Sequence, residues 1–69
     1  MRFNPAKLSA LMREHHETAY RLAKELSISQ TTVRNWLDGT TIPQLAKAGA
    51  LAAHYGVPEE SLFEQVDPA

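Results

Sequence analysis

The stretch Ser29-Gln30-Thr31-Thr32-Val33-Arg34-Asn35-Trp36-Leu37 carries the densest set of side chains suited to selective recognition. At helical spacing, Val33, Trp36 and Leu37 share one side. Gln30, Thr31, Arg34 and Asn35 share the other, with Ser29 and Thr32 beside them. Short hydrogen-bonding groups and one arginine fill this polar side, where a merely solvated helix would carry Glu and Lys. Base edges in the major groove of duplex DNA are read by this chemistry. Gln or Asn can pair two-fold with adenine, Arg with guanine, and a Thr methyl can touch the thymine methyl. The same face also fits a neutral polar surface on which Ser29 and Thr32 act as caps. Residue types alone leave both readings open.

Other candidate chemistry is thinner. His15-His16 and His54 suggest a metal at first sight. Adjacent histidines on a helix point about 100° apart, and no cysteine or carboxylate cluster completes a ligand set. No metal or other cofactor is expected. Ser, His and Asp are present, but none sits in a recognisable nucleophile context. A 69-residue helical chain also offers little room for a closed pocket. No enzymatic activity and no small-molecule ligand are expected.

The elements that must position these groups follow from the caps. Asn4-Pro5 opens a helix over 5–15, with Leu8, Leu11 and Met12 on one stripe. Thr18 caps a second over 19–26, with Ala19, Leu22, Ala23 and Leu26 inward. Ser29 caps a third over 30–37, stopped by Gly39. Pro43 opens a fourth over 43–55, carrying Leu45, Ala48, Leu51, Ala52 and Tyr55 and stopped by Gly56. Pro58-Glu59-Glu60 starts a fifth over 58–65, with Leu62, Phe63 and Val66 apolar. No run alternates as a strand would, so the fold class is all-α without a sheet. One core is expected from Leu8, Leu11, Leu22, Ala23, Leu26, Ile28, Val33, Trp36, Leu45, Leu51 and Leu62.

Composition sets further bounds. Residues 1–69 fit a single domain, small enough to be marginal in stability, and the absence of cysteine removes any disulfide support. No apolar run approaches the roughly 18 residues of a membrane span. The N-terminal residues lack a basic flank followed by an apolar run, so a cytoplasmic protein is expected. The net charge is −1, but it is unevenly placed. Residues 1–47 hold all seven Lys and Arg with four acids, net +3; residues 48–69 hold the other four acids, net −4. The split suggests a basic face for one partner and an acidic end for something else.

Only Ser27-Ile28-Ser29 separates the second and third helices, and Ile28 is apolar enough to plug the corner. A connection this short fits the steep crossing of a helix-turn-helix. At this point a resemblance becomes specific. Leu22-Ala23, Leu26-Ser27-Ile28-Ser29, Thr32-Val33, Trp36 and Gly39 are similar to the pattern of the phage repressor and Cro-type, lambda-repressor-like, helix-turn-helix family. Pro43, Leu51-Ala52, Tyr55-Gly56-Val57-Pro58 and Leu62-Phe63 match its second half. With the first helix included, the resemblance spans about 60 residues and implies a compact five-helix lambda-repressor-like domain.

The resemblance implies roles. Gln30, Thr31 and Arg34 fall at base-reading positions, and Ser29, Thr32 and Asn35 at positions that touch a base or the backbone. Thr18 and Ala19 fall beside a phosphate, with Arg13, Thr40 and Thr41 as further backbone contacts. Phe63 and Val66 fall where the family often builds a two-fold contact. The implied partner is double-stranded DNA with a two-fold operator, bound by a homodimer of a bacterial or phage transcription regulator, most simply a repressor.

Departures from the pattern thin the phosphate contacts. Ala19 replaces a glutamine that holds a phosphate, Ser27 replaces the turn glycine, and Leu37 replaces a glutamate that pairs with the arginine of the first helix. Thr40-Thr41 stand where many relatives carry Lys or Arg. With Arg13, Arg21, Lys24 and Arg34 all at phosphates, the slope of log K against log salt reaches at most about −4 per subunit. Affinities of roughly 10⁻⁸ M would then need two half-sites, about 10 base pairs apart centre to centre. The alternative is a protein-binding adaptor on the same fold, such as an antitoxin or phage accessory protein, favoured by the acidic end.

Overall fold

Local capping chemistry explains where each helix begins. The computed structural model describes residues 2–64, Glu64 by its backbone alone. Asn4 Oδ1 accepts from the Ala6 N–H at 2.9 Å and starts α1 (Pro5–Glu14). Thr18 Oγ1 accepts from the Arg21 N–H at 3.2 Å and starts α2 (Ala19–Leu26). Ser29 Oγ accepts from the Thr32 N–H at 3.1 Å and starts α3 (Gln30–Asp38). α4 (Leu45–Tyr55) follows Gln44, whose side chain makes no capping bond. Each cap satisfies one donor that a helix start otherwise leaves unpaired.

All four helices stop in the same way, on a residue in the left-handed region. The amide of that residue and the next one fold back onto the last turn. In α3, Gly39 N donates to Trp36 O and Thr40 N to Asn35 O. In α4, Gly56 and Val57 donate to Ala53 O and Ala52 O. The first two helices end likewise, but without glycine: His16 has φ 53° and Ser27 φ 57°. Ser27 thus makes the turn between α2 and α3 in the left-handed region, at the steric cost of a β-carbon there.

Packing then orders the layers. α3 lies chiefly against α2 and also against α1. Leu8, Met12, Leu22, Ala23, Val33, Trp36, Leu51, Ala52, Tyr55 and Leu62 form one buried core, with Phe3 at its edge. Leu11, Leu26 and Ile28 pack onto it from partly buried positions. Leu45 departs from the expected core. It is the first residue of α4, 78% exposed, because α4 starts at residue 45 rather than 43 and its first turn overhangs its neighbours. Pro43 is buried in the loop before it.

The C-terminal part differs most from the local pattern. A helix was expected over 58–65; instead a 3₁₀ turn (Glu59–Leu62) leads into a short strand, β2 (Phe63–Glu64). β2 pairs antiparallel with β1 (Arg2–Phe3), Phe3 opposite Phe63, so a two-stranded sheet exists where none was expected. The described residues therefore hold four α-helices and not five. The four-residue turn is too short to nucleate an α-helix profitably. It delivers Leu62 into the core, while the next residue extends so that the Phe63 ring meets Phe3 edge-on, centroids 5.9 Å apart. Asn4 N–H to Leu62 O and Lys7 Nζ to Phe63 O, 2.9 and 2.8 Å, tie the two ends together.

Candidate nucleic-acid interface

The buried Val33 and Trp36 hold α3 to the core by one face. The opposite face is left to solvent. Thr31, Arg34 and Asp38 are exposed along it, with Gln30, Thr32 and Asn35 partly exposed at its margins. Gln30, Thr31 and Arg34 therefore lie within one turn on an outward surface. The Ser29 and Thr32 hydroxyls are engaged with each other at 2.7 Å in the cap, which restrains both groups at the start of the helix. Thr40 and Thr41 follow on an exposed loop whose amides return to Asn35 O.

A family model described as helix-turn-helix matches residues 8–62. The chain belongs to the helix-turn-helix family. The match takes in α1 to α4 and the 3₁₀ turn. The chain is also similar to the solution structure of the SOS-response transcriptional repressor LexA from Eubacterium rectale. The two are 25% identical, with a TM-score of 0.82, over 94% of this chain and 73% of that one. No curated protein matches at a significant level.

Around the helix-turn-helix, the remaining expected residues are distributed unevenly. Thr18 is exposed but its hydroxyl is occupied by the Arg21 amide, and Ala19 rests partly buried against the core. Arg13, Arg21, Lys24 and Arg34 are exposed cations. Arg13 has no ion-pair partner among the described residues, in keeping with the Leu37 departure. Lys24 Nζ sits 6.0 Å from the Tyr20 ring centre, over an otherwise exposed tyrosine. Lys7 is withdrawn from this set by its bond to Phe63 O. Phe63 is partly buried within its own chain, and Val66 lies outside the described residues.

Two features were not singled out from sequence. Asp38 falls on the exposed stripe of α3, one turn beyond Arg34, placing a negative charge at the C-terminal end of that face. Its i, i+4 spacing from Arg34 is the sequence signal that marks it. The second is a cluster at the turn between α1 and α2. Glu17 Oε1 receives the Tyr55 hydroxyl at 3.1 Å and lies 2.9 Å from His54 Nε2, both from α4. The His15 ring meets Tyr55 at a tilt of 48°, ring centres 4.9 Å apart. Burial, then the Glu17 charge and its hydrogen bond, push the Tyr55 hydroxyl far above its ordinary pKa. The cluster ties α4 to the residue just before the α2 cap across 37 positions, a pairing no local motif announces.

Among the described residues, no group of three or more His, Asp or Glu side chains is arranged to hold a metal. No helix among the described residues is long and apolar enough to cross a membrane.

Proposed function

We propose that this helix-turn-helix protein is a sequence-specific, double-stranded-DNA-binding transcription regulator that represses by occupying its operator, with α3 in the major groove. Family membership supports a DNA-binding regulator, and the similar solved structure is that of a transcriptional repressor. The observation that carries the finer reading is the outward stripe of α3. Thr31 and Arg34 are exposed and Gln30 partly exposed on a helix whose other face buries Val33 and Trp36.

In this reading Gln30 takes adenine, Arg34 takes guanine by its two-pronged guanidinium, and the Thr31 methyl meets thymine. Ser29, Thr32 and Asn35 contact base margins or adjacent phosphates. The first N–H groups of α2, at Ala19 and Tyr20, have no acceptor within their helix and suit a phosphate oxygen. Thr18, Arg13, Thr40 and Thr41 complete the backbone set. Since this set is thin, two copies on a two-fold operator supply the affinity that one cannot. The protein acts on DNA in the cytoplasm of a bacterial or phage-infected cell, with no cofactor.

Selection from a randomised duplex library with the purified protein tests this. A repeated half-site with positions sensitive to Arg34→Ala is expected. No enriched sequence, together with binding lost by about 0.1 M salt, would show backbone attraction only. The second reading, an adaptor for a protein partner, draws on the exposed acids Glu59 and Glu60 and the thin phosphate set. Under it, replacing Gln30 and Arg34 by alanine leaves function in the native host unchanged.

A further inference from the structure

We infer that Glu17 is a positioning residue for DNA binding, held by His54 and Tyr55 of α4, and that a proton on His54 sets how much negative charge it shows to DNA. The inference rests on the DNA-binding reading above and adds a control of affinity to it.

Glu17 lies in sequence among residues assigned to the DNA backbone, Arg13 before it and Thr18 and Ala19 after it. A carboxylate there repels phosphate unless it is turned away or offset. Here it is turned away. Arg13, Glu14, His15, His16 and Thr18 are exposed around it, whereas the Glu17 side chain is only 13% exposed. Its Oε1 receives the Tyr55 hydroxyl and meets His54 Nε2, so two groups of α4 converge on one oxygen. The Glu17 amide donates to Met12 O at 2.8 Å, which ties the same residue to the last turn of α1. The next residue, Thr18, caps α2. One residue thus links α1, α2 and α4. Such anchoring matters because Ala19 offers no hydrogen-bonding side chain, and the Thr18 hydroxyl is committed to the Arg21 amide. This turn can offer a phosphate its backbone N–H groups, which cannot swing toward an acceptor as a long side chain does. The turn itself must be held in place.

Charge couples to this anchor. An imidazole takes up its proton over a range around pH 6.5. With His54 neutral, the corner keeps the Glu17 charge; with His54 protonated, the pair is net neutral. A polyanion favours the second state, so DNA draws a proton onto His54, and by reciprocity that proton tightens DNA binding. Affinity is therefore highest below the imidazole range and falls as the pH rises through it. Few other titratable groups pack about the pair. Tyr55 comes from α4 itself and keeps its hydroxyl neutral. His15 meets Tyr55 from the end of α1. Glu59 of the 3₁₀ turn lies beside Gly49, more than one turn away along α4.

The experiment measures the affinity of the full chain for its selected duplex at fixed salt, from about pH 5.5 to about pH 8, the span that brackets imidazole titration. Wild-type binding should weaken by about threefold across it, the scale of one charge several ångströms from a phosphate in water. Glu17→Gln keeps an acceptor for Tyr55 but no charge. It should bind tighter than wild type at the alkaline end and show a flatter profile. His54→Gln should flatten the profile too, which separates His54 from the exposed His15 and His16. Glu17→Ala loses the anchor as well as the charge. It should bind about tenfold weaker than Glu17→Gln at every pH, the loss of one hydrogen bond to a charged group. Every variant should enrich the same sequence, because α3 is untouched. Glu17→Ala that binds as tightly as Glu17→Gln overturns the positioning role. Profiles of Glu17→Gln and His54→Gln that run parallel to wild type overturn the coupling. Melting curves check folding; if Glu17→Ala does not fold, Tyr55→Phe, which drops one anchoring bond and keeps the charge, should weaken binding in its place, and unchanged affinity overturns the positioning role. Wild-type protein that enriches no sequence at any pH removes the DNA-binding reading itself, a distinct result.

Discussion

The α2–α3 pair and the closure formed by α4, the 3₁₀ turn and the two short strands both cover short helices, but over different ranges of chain. α2 and α3 cover each other across a turn of three residues, with Ile28 filling the corner. The closure joins Phe3 to Phe63 and Glu17 to His54 and Tyr55, contacts between distant parts of the chain. The first region keeps an outward polar face on α3. The second turns its large apolar side chains, apart from Leu45, toward the core. If α3 reads DNA as proposed, recognition and stability are carried by different parts of one small domain, and so should separate under mutation.

The largest expected effect tests the closure. Phe3→Ala removes a ring that is 4% exposed and should cost about 3–5 kcal/mol in urea unfolding. That is a large share of what so small a domain holds. A loss below 1 kcal/mol would mean that the strand pair is not a structural lock. The matching test of the α2–α3 face is Arg34→Ala. It should weaken selected-site binding by about 1–3 kcal/mol and relax specificity at one base, with thermal stability nearly unchanged. If stability fell as far as affinity did, the proposed division between the regions would be lost.

A pH titration separates the regions again. The folded state keeps the Tyr55 phenol neutral, through burial first and Glu17 second, whereas the unfolded chain ionises it at about pH 10. The stabilisation is therefore complete below about pH 10 and is lost as the pH climbs beyond it. Tyr55→Phe should flatten the alkaline fall in stability and lower stability at neutral pH by about 1 kcal/mol, the worth of one hydrogen bond. An unchanged alkaline limb in the variant would exonerate Tyr55. The smallest effect is Ser27→Gly, at φ 57° in the turn between α2 and α3. It should stabilise by roughly 1 kcal/mol or less, relief of left-handed strain being partly offset by the looser unfolded chain. Destabilisation would mean that the Ser27 side chain supports the turn in some further way.

The helix-turn-helix was legible because its information is local. Ser29, Gly39 and the Val33–Trp36 spacing specify the start, stop and buried face of α3 within ten residues, and the structure places all of them as read. Asn4-Pro5 and Thr18 do the same for α1 and α2. The pattern failed where a residue's partner lies far away. Phe63 looked like the inner face of a fifth helix because Leu62, Phe63 and Val66 have helical spacing. Phe3 was the neighbour that pulled it into a strand, and spacing cannot report a residue sixty positions distant. Leu45 looked inward because it continues the Ala48–Tyr55 stripe, yet at the first position of α4 it stays 78% exposed while Ala48 is buried.

By itself, then, the sequence determined the four helices, the left-handed stops at Gly39 and Gly56 and the chemistry presented by α3, since capping, turn geometry and periodicity act between near neighbours. Tertiary structure alone decided that the ends of the domain meet as paired strands, that Glu17 is held from α4, and that Ile42 and Leu45 stay uncovered. Those outcomes depend on which surfaces come together once the helices dock, and docking is a property of the whole chain.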